Sequence, residues 1–398
     1  MNKYRGLYIH IPFCSAICHY CDFAKTANFA KEQALQYLDV LTREVVLLKK
    51  SGLISRTGLE SVFFGGGTPG LFSLEYRNLL DELRPLLAQN CELSIEVNPD
   101  DVNDHSCQSW YALGFNRVSM GVQTFREKGL EQLTRTHTGN QAVSAIKTLK
   151  SHFSNVNVDL IYGWAGQNFA EWQADLEQVI GLKVPHLSCY NLIYETGTTL
   201  NRKKERNLIK DHSDDDHATF YDLARAVLAQ GDYQHEEVSN WSQSGYSCRH
   251  NWLYWNSEKF LALGAGAVGL LELPDGSMER FFMPRSFRKY TKNSVLHHQK
   301  CRDFSRYVRK QAEHRESLSN TMRLTEYIAG RLRTQAGIDL EVAQNVAASN
   351  YWASESIKKA LYDGQLVQEA DVIRLDEKEW FRENYWVLEL LSCFTDAK

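Results

Sequence analysis

The stretch "LYIHIPFCSAICHYCDF", from Leu7 to Phe23, determines how the rest of this sequence is interpreted. It begins with an apolar run rich in strand-forming residues and continues directly into a cysteine-rich loop. The loop carries three cysteines in a C-x₃-C-x₂-C spacing, namely Cys14, Cys18 and Cys21. No further cysteine occurs before Cys91. The stretch therefore predicts a β-strand that brings three thiols, and no fourth, to one loop.

The bulk properties indicate a globular protein of the reducing cell interior. The 398 residues include 43% hydrophobic residues, which is enough for a large core. The nine cysteines are odd in number and three of them cluster, which is unlike a disulfide framework. The beginning of the chain lacks the pattern of a signal peptide, so a cytoplasmic location is expected. A formal net charge of −4 gives no global attraction to nucleic acid, so no such partner is expected.

The first half of the sequence alternates strand-like and helix-like segments. Such alternation is typical of a parallel sheet with helical crossovers. Polar and Gly-rich loops follow the predicted strands, and in βα barrels the corresponding edge carries the active site. We expect an α/β fold, a partial (β/α)6 barrel. The six predicted strands are "LYIHI", "SVFF", "LSIEVNP", "RVSMGV", "NVDLIYG" and "HLSCYNL".

The pattern changes after about residue 200, and the tail from about residue 317 is mostly helical. We predict a core barrel over residues 1–285 and a mostly helical C-terminal domain over residues 286–398. A basic run between Arg285 and Arg315 lies at their junction. A solvated face between domains is the ordinary interpretation of this run. Contact with heme propionates or with an anionic membrane surface is the alternative.

Three clustered thiols favour an iron–sulfur cluster. Cysteine thiolates are the usual ligands of such clusters, and three of them leave one iron of a cubane without a protein ligand. An open coordination position on a metal is where chemistry takes place. A zinc site is the alternative, with His10 or His19 as the fourth ligand.

The spacing, with Tyr20 directly before the last cysteine, resembles the radical S-adenosylmethionine (SAM) superfamily. The resemblance implies a 4Fe-4S cluster bound by Cys14, Cys18 and Cys21, whose open iron chelates SAM. In that superfamily an electron from the cluster cleaves SAM to a 5′-deoxyadenosyl radical.

Motifs after the later strands extend the resemblance. The glycines of "GGGTP" permit close backbone approach to a ligand, although a simple turn would use them as well. Polar residues in "SIEVNPD", "GVQTF" and "VDLIYG" lie at strand ends, where each alone could be a cap. By resemblance, the residues that line a SAM site are Tyr8, Tyr20, Gly66, Gly67, Thr68, Glu96, Gln123, Arg135 and Asp159.

The branch resembled is the one that holds the oxygen-independent coproporphyrinogen III oxidases and the HemW-type heme chaperones. The oxidases carry a further cysteine two residues after the third ligand, where this chain has Phe23, and they carry a longer N-terminal segment. The motif "HNWLYW", from His250 to Trp255, is typical of the chaperones and implies a role of His250 in heme binding. A buried, hydrogen-bonded core histidine is the alternative. The sequence thus predicts a chaperone that binds heme and transfers it to an acceptor hemoprotein, with the oxidase as the second hypothesis.

Two departures from the branch affect this prediction. Related chains carry a histidine where "GAGAVG" has Val268, and valine can neither ligate iron nor transfer a proton. In "YGWAGQ", Trp164 and Ala165 replace a Leu-Pro pair, so the floor of the pocket is expected to be reshaped. The sequence leaves the heme ligand, the turnover of SAM and the oligomeric state open.

Overall fold

A nine-stranded sheet forms the centre of the computed structural model, which describes residues 3–298, 301 and 303–394. Its first six strands run parallel to one another and lie side by side in chain order. They are β1 Gly6–Ile11, β2 Leu59–Gly66, β3 Leu87–Val97, β4 Arg117–Gln123, β5 Asn155–Tyr162 and β6 His186–Asn191. These strands and the predicted partial barrel are confirmed.

Three short strands extend the same sheet at both edges. They are β7 Gln234–Glu237, β8 Asn240–Ser242 and β9 Phe260–Leu263. The β7–β8 hairpin pairs antiparallel with β6, whereas β9 pairs parallel with β1. The sequence analysis did not predict these strands, because segments of three or four residues carry little periodicity of their own. Their conformation depends on the free edges that β1 and β6 offer.

Successive side chains along β3, β4 and β5 alternate between an apolar outer face and a polar inner face. In β4, Val118 and Met120 are fully buried in the main hydrophobic core. Arg117 and Ser119 point the other way and line an internal cavity. A strand turns successive side chains to opposite faces, so the barrel interior becomes polar while its outside packs against helices.

Helices cover the outside of the barrel. In the long helix α1, Lys31–Ser51, Leu41 and Leu48 are buried on the inner face, and Gly52 ends the helix with a left-handed φ of 68°. The helices of this part are α1 Lys31–Ser51, α2 Arg77–Leu83, α3 Asp104–Leu113, α4 Glu127–Gln132, α5 Gly139–His152, α6 Phe169–Gly181, α7 Thr199–Glu205, α8 Asp214–Gln230 and α9 Arg249–Trp255. Short 3-10 helices cover Pro69–Leu71, Leu74–Tyr76, Arg84–Leu86 and Pro99–Asp101.

The remainder of the chain is mainly helical and contains two small antiparallel sheets. The first sheet joins β10 Val268–Glu272, β11 Met278–Phe282 and β12 His314–Ser317, and the second joins β13 Ile338–Asp339, β14 Leu366–Glu369 and β15 Val372–Leu375. The helices are α10 Phe287–His298, α11 Phe304–Gln311, α12 Asn320–Leu332, α13 Leu340–Ala347, α14 Glu355–Tyr362 and α15 Glu383–Ser392, with a 3-10 helix over Glu377–Arg382.

The predicted division at residue 285 stays a prediction. Strand β12, which follows it, pairs with β11, which precedes it. The carboxyl group of Glu44 in α1 also accepts hydrogen bonds from Tyr290 and Tyr307 of α10 and α11. Across the described ranges, no helix combines the length and the low polarity that crossing a membrane requires.

Candidate functional site

The barrel encloses a cavity of about 670 Å³. Its volume lies in the range typical of small-molecule binding sites. Every residue that the sequence analysis assigned to the site lines this cavity: Tyr8, Cys14, Cys18, Tyr20, Cys21, Gly66, Gly67, Thr68, Glu96, Gln123, Arg135, Asp159 and His250. The structure therefore brings the predicted residues together, while the cofactor that each of them would bind stays a prediction.

The cavity has two ends, which we call the cysteine end (Cys14, Cys18 and Cys21) and the α9 end (Cys248, His250 and Tyr254). The cysteine loop follows the carboxyl end of β1. At the other end, Cys248 contacts Glu92, which the strand register places level with the beginning of β1. Five residues of β1 separate these levels, or roughly 16 Å at about 3.3 Å per residue.

Backbone hydrogen bonds hold the cysteine loop in place. The N–H of Cys14 donates to the carbonyl of Thr26 at 3.0 Å, and the N–H of Thr26 donates to that of Pro12 at 2.7 Å. Cys14 is buried, whereas Cys18 and Cys21 are partly exposed. Burial raises the pKa of the Cys14 thiol to about 11. Binding of a metal here would therefore have to displace a proton.

The glycine-rich motif orders this loop. The N–H of Gly67 donates to the carbonyl of Ile11 at 2.8 Å, and that of Thr68 donates to the carbonyl of Phe13 at 2.7 Å. A Cβ at Gly67 would lie 2.7 Å from the Phe13 carbonyl oxygen, so only glycine permits this approach. The N–H groups of this motif thus serve the cysteine loop, a use that the sequence analysis did not anticipate.

Arg135 connects two of the cysteines through a polar network. Its Nη1 donates to Sγ of Cys18 at 3.3 Å, and its Nη2 donates to Oδ1 of Asn98 at 2.5 Å. Nδ2 of Asn98 donates to Oγ1 of Thr68 at 3.1 Å, and Thr68 contacts Cys14. The guanidinium places a positive charge beside thiols that must be deprotonated to bind iron.

Two carboxyl groups occupy the middle of the cavity. Oε2 of Glu96 accepts from the N–H of Gly66 at 2.9 Å. Asp159 accepts from Nδ2 of Asn157 at 2.7 Å and from Oγ of Ser119 at 3.1 Å. Burial raises the pKa of Glu96 to about 7, and burial also raises that of Asp159. Both groups are partly buried in the cavity wall and offer polar contacts to a ligand.

Gln123 has an unusual backbone conformation at the end of β4. Its φ is 70°, in the left-handed region that residues other than glycine rarely adopt. The register between β4 and β5 shifts between Gly121 and Gln123, as at a β-bulge. Bulges redirect side chains near functional sites, and this one directs Gln123 to the cavity.

The α9 end is closed by the helix that carries the "HNWLYW" motif. The Glu92 carboxylate accepts from the N–H groups of Arg249 and His250, so a negative charge caps the beginning of α9. The His250 ring lies 2.8 Å from Oγ of Ser61 and 2.8 Å from the hydroxyl of Tyr254. Burial lowers the pKa of His250 to about 3, so the ring is neutral. Its role in heme binding stays a prediction.

Several polar residues of the cavity were not predicted. Asn157, Ser119, Ser188 and Arg117 line it from β4, β5 and β6. The signal was present in the sequence as polar residues at alternate positions of otherwise apolar strands. Such a pattern is equally typical of a solvent-facing strand, so it could not identify an enclosed interior.

The donor set fits a cluster with three thiol ligands and SAM. Three thiols lie on one loop, a guanidinium contacts one of them, and an amide and two carboxyl groups line the same cavity. His10, considered as a zinc ligand, has Nδ1 at 3.0 Å from the Tyr8 hydroxyl and Nε2 at 2.7 Å from the Ala24 carbonyl. The described part of the chain contains no group of three or more His, Cys, Asp or Glu placed to hold a single metal ion.

The two departures from the branch lie outside the wall of the cavity. Val268 begins β10, faces Phe282 across the sheet and is 37% exposed. Trp164 is fully buried in a second, smaller core with Ile161 and Leu192, which themselves line the cavity. Trp164 thus supports the wall from behind instead of forming the floor.

The basic run at the junction is partly paired with acids. Lys289 pairs with Glu313, and both Arg309 and Arg315 pair with Glu279. Lys300 and Arg302 of this run lie outside the described residues. Membrane contact through this run stays a prediction.

Comparison with known proteins places the chain in a class. The family model of the radical SAM superfamily matches residues 8–179. The solved structure of coproporphyrinogen III oxidase (HemN) from Escherichia coli superposes with a TM-score of 0.77, covering 99% of this chain and 91% of that chain. The two sequences are 20% identical, so what this superposition shows is a shared fold. The protein is a member of the radical SAM superfamily.

Relatives define the family within this class. The heme chaperone HemW of Lactococcus lactis is 35% identical over 278 residues, which are 68% of this chain and 71% of that protein. The heme chaperone HemW of Haemophilus influenzae is 33% identical over 301 residues, or 74% and 78%. The chain belongs to the HemW family.

Proposed function

We propose that this protein is a heme chaperone, which binds heme and transfers it to an acceptor hemoprotein. The observation that carries the proposal is the likeness to HemW chaperones over more than two thirds of their length. Phe23 adds to it, since it replaces the further cysteine of the oxidases and lies 62% exposed at the cavity.

The lining of the cavity suits a flat, apolar macrocycle with polar edges. Aromatic rings of Tyr8, Phe63 and Tyr254 face the cavity near His250. Ile193, which is 63% exposed, also lines the cavity and adds apolar surface. Aromatic and aliphatic side chains contribute apolar contact area, while polar groups orient the ligand.

Cys14, Cys18 and Cys21 would bind a 4Fe-4S cluster, with Arg135 donating to the Cys18 sulfur. Glu96, Gln123, Arg135 and Asp159 would orient SAM, and the glycine motif would hold the cysteine loop against it. When bound, such a cluster supplies an electron to SAM. Formation of 5′-deoxyadenosine distinguishes cleavage of SAM from binding alone.

The test is an anaerobic heme titration of the reconstituted full-length protein, followed by Soret absorbance. We expect saturable binding that weakens in His250→Ala and is unchanged in the control His105→Ala, an exposed histidine of α3. The imidazole must release Ser61 or Tyr254 to bind iron, so a shift of the Soret band in His250→Ala would identify it as a ligand. Absence of saturable binding by the wild-type protein would contradict the proposal.

Transfer is measured by mixing the heme-loaded protein with an apo-hemoprotein and following the Soret band of the acceptor. Coproporphyrinogen III with SAM and a reductant is the parallel test of the oxidase hypothesis. Formation of protoporphyrinogen IX together with CO₂ and 5′-deoxyadenosine would assign the oxidase activity instead.

A further inference from the structure

Arg117 is a buried cation inside the barrel to which the activity proposed above assigns no role. It begins β4, is 2% exposed and lines the cavity. Nη2 of its guanidinium lies 3.3 Å from Nδ1 of His186. Its Nε is buried without a hydrogen-bond partner in the structure.

The contact with His186 does not supply an acceptor. Nδ1 of His186 lies 2.5 Å from Oδ1 of Asn157. The orientation of the Asn157 amide follows from its Nδ2, which donates to Asp159 at 2.7 Å and to Ser119 at 2.7 Å. Oδ1 must therefore accept, and Nδ1 of His186 carries the proton. A protonated ring nitrogen has no lone pair for Arg117.

The nearby acids are directed to other donors. Glu92 accepts from the first N–H groups of α9, and Asp159 accepts from Asn157 and Ser119. Glu236 accepts from Oγ of Ser242 and from Nε1 of Trp252. Their charges attract the guanidinium over a distance, but none of these three carboxyl groups forms a hydrogen bond or ion pair with it.

A guanidinium has five N–H donors in a planar fork that matches a carboxylate in two parallel hydrogen bonds. Burial of this charge without acceptors is unfavourable, so an acceptor is expected on the cavity side. We propose that Arg117 binds a carboxylate of the ligand held in the barrel, namely a propionate of the tetrapyrrole. This assignment rests on the proposed function, which supplies the tetrapyrrole.

The position of Arg117 separates this carboxylate from the SAM site. Arg117 lies four residues before Gly121, whose carbonyl accepts from Arg135 near the cysteine end. At about 3.3 Å per residue, it is roughly 13 Å further along β4, toward the α9 end. A propionate there would bring the macrocycle to His250 and Tyr254, which line the same part of the cavity.

The ligand itself provides the sharpest test. Anaerobic titrations compare heme with heme dimethyl ester, in which both propionates are esterified, on the full-length reconstituted protein. We expect the wild-type protein to bind heme about 10- to 100-fold more tightly than the ester, as for a hydrogen-bonded charge pair. This comparison requires no variant and is independent of whether substitutions of Arg117 fold.

The variant Arg117→Met removes the charge and keeps a side chain of similar size. It should bind heme about as weakly as it binds the ester. Its affinity for the ester should stay within about twofold of the wild-type value. Arg117→Lys, which keeps the charge without the fork, should lie between. The control Arg84→Met changes an exposed arginine. SAM affinity, measured by equilibrium dialysis, should be unchanged in all three.

Other outcomes would overturn the proposal in distinguishable ways. Equal wild-type affinity for heme and the ester, or an equal loss of both in Arg117→Met, would leave heme binding intact and reject the propionate contact. A loss of SAM affinity without a loss of heme affinity would assign the carboxylate to SAM. A wild-type protein that binds neither heme nor the ester would reject the proposed function, and the propionate contact with it.

Discussion

The guanidinium of Arg135 donates a hydrogen bond to Sγ of Cys18 at 3.3 Å, although 117 residues separate them in sequence. Its Nη2 also donates to the carbonyl of Gly121 at 2.7 Å. The positive charge is thus fixed by β4 and directed at the cysteine loop that follows β1. Hydrogen bonds from a charged donor are stronger than neutral ones, so this contact helps to hold the cysteine loop against the barrel.

Replacement of Arg135 should weaken the cluster. Arg135→Met removes the donor to Cys18, and loss of such an outer contact typically lowers metal affinity about 10- to 100-fold. The remaining cluster should be harder to reduce, because its negative charge is less compensated. Iron content after anaerobic reconstitution and a potentiometric titration measure these effects. Arg84→Met is the control, and an unchanged iron content in Arg135→Met would contradict the expectation.

The cysteines should differ sharply in their effect on the cluster. Cys18→Ala should abolish cluster absorbance, because one of three thiol ligands is lost. Cys91→Ala should leave the cluster intact, since Cys91 is a buried core residue that does not line the cavity. Iron and sulfide analysis of the two purified variants makes the comparison. Loss of the cluster in both would argue against the assigned ligands.

Gly67 should not tolerate a side chain. In Gly67→Ala the new Cβ would lie 2.7 Å from the Phe13 carbonyl and 2.8 Å from that of Ile11, so the loop must move. Crowding of this kind costs about 1–3 kcal/mol. The matched control is Gly181→Ala at the end of α6, where a Cβ meets nothing within 4 Å. It should be neutral or stabilising by up to about 1 kcal/mol. Chemical denaturation of both variants gives the free energies of unfolding.

The buried Glu44 should make stability fall as pH rises. Burial raises its pKa from 4.5 to about 7, despite hydrogen bonds from Tyr290, Tyr307 and Ser294. The folded state therefore holds the proton more tightly than the unfolded state. Its stabilising effect is complete below pH 4.5 and is lost as the pH rises through 7, a change of about 3 kcal/mol.

Glu44→Gln, which cannot ionise, should lack this component. The difference in the free energy of unfolding between wild type and Glu44→Gln, measured from pH 5 to pH 8, should therefore favour the variant increasingly at higher pH. A difference that is constant over this range would contradict a raised pKa at Glu44.

Local patterns were sufficient for the barrel strands and for the residues at their ends. The predicted strand "RVSMGV" corresponds to β4, and Glu96, Gln123 and Asp159 of the middle strands meet in one cavity, although Asp159 lies within β5, three residues before its end. This follows from parallel pairing, which brings the carboxyl ends of neighbouring strands to one edge. The same reasoning could not detect β9, because a short apolar segment does not specify its partner.

The partners within the site could not be derived from the sequence. No local pattern joins Glu92 to the beginning of α9, or His250 to Ser61 across 189 residues. The position of Val268, paired with Phe282 across a small sheet, likewise follows from no local pattern. Long-range contacts of this kind depend on how far the sheet curls and which helix closes it.

The sequence by itself determined the loop of three thiols, the parallel strands and the polar residues at or near their ends, because strand periodicity and loop composition are local properties. Only the tertiary structure decided that Arg135 faces Cys18, that α9 closes the opposite end, and that Nε of the buried Arg117 has no hydrogen-bond partner. The physical reason is that curvature of the sheet converts one face of each strand into an enclosed interior. In that interior, the burial of a polar group and the identity of its partner depend on every strand at once.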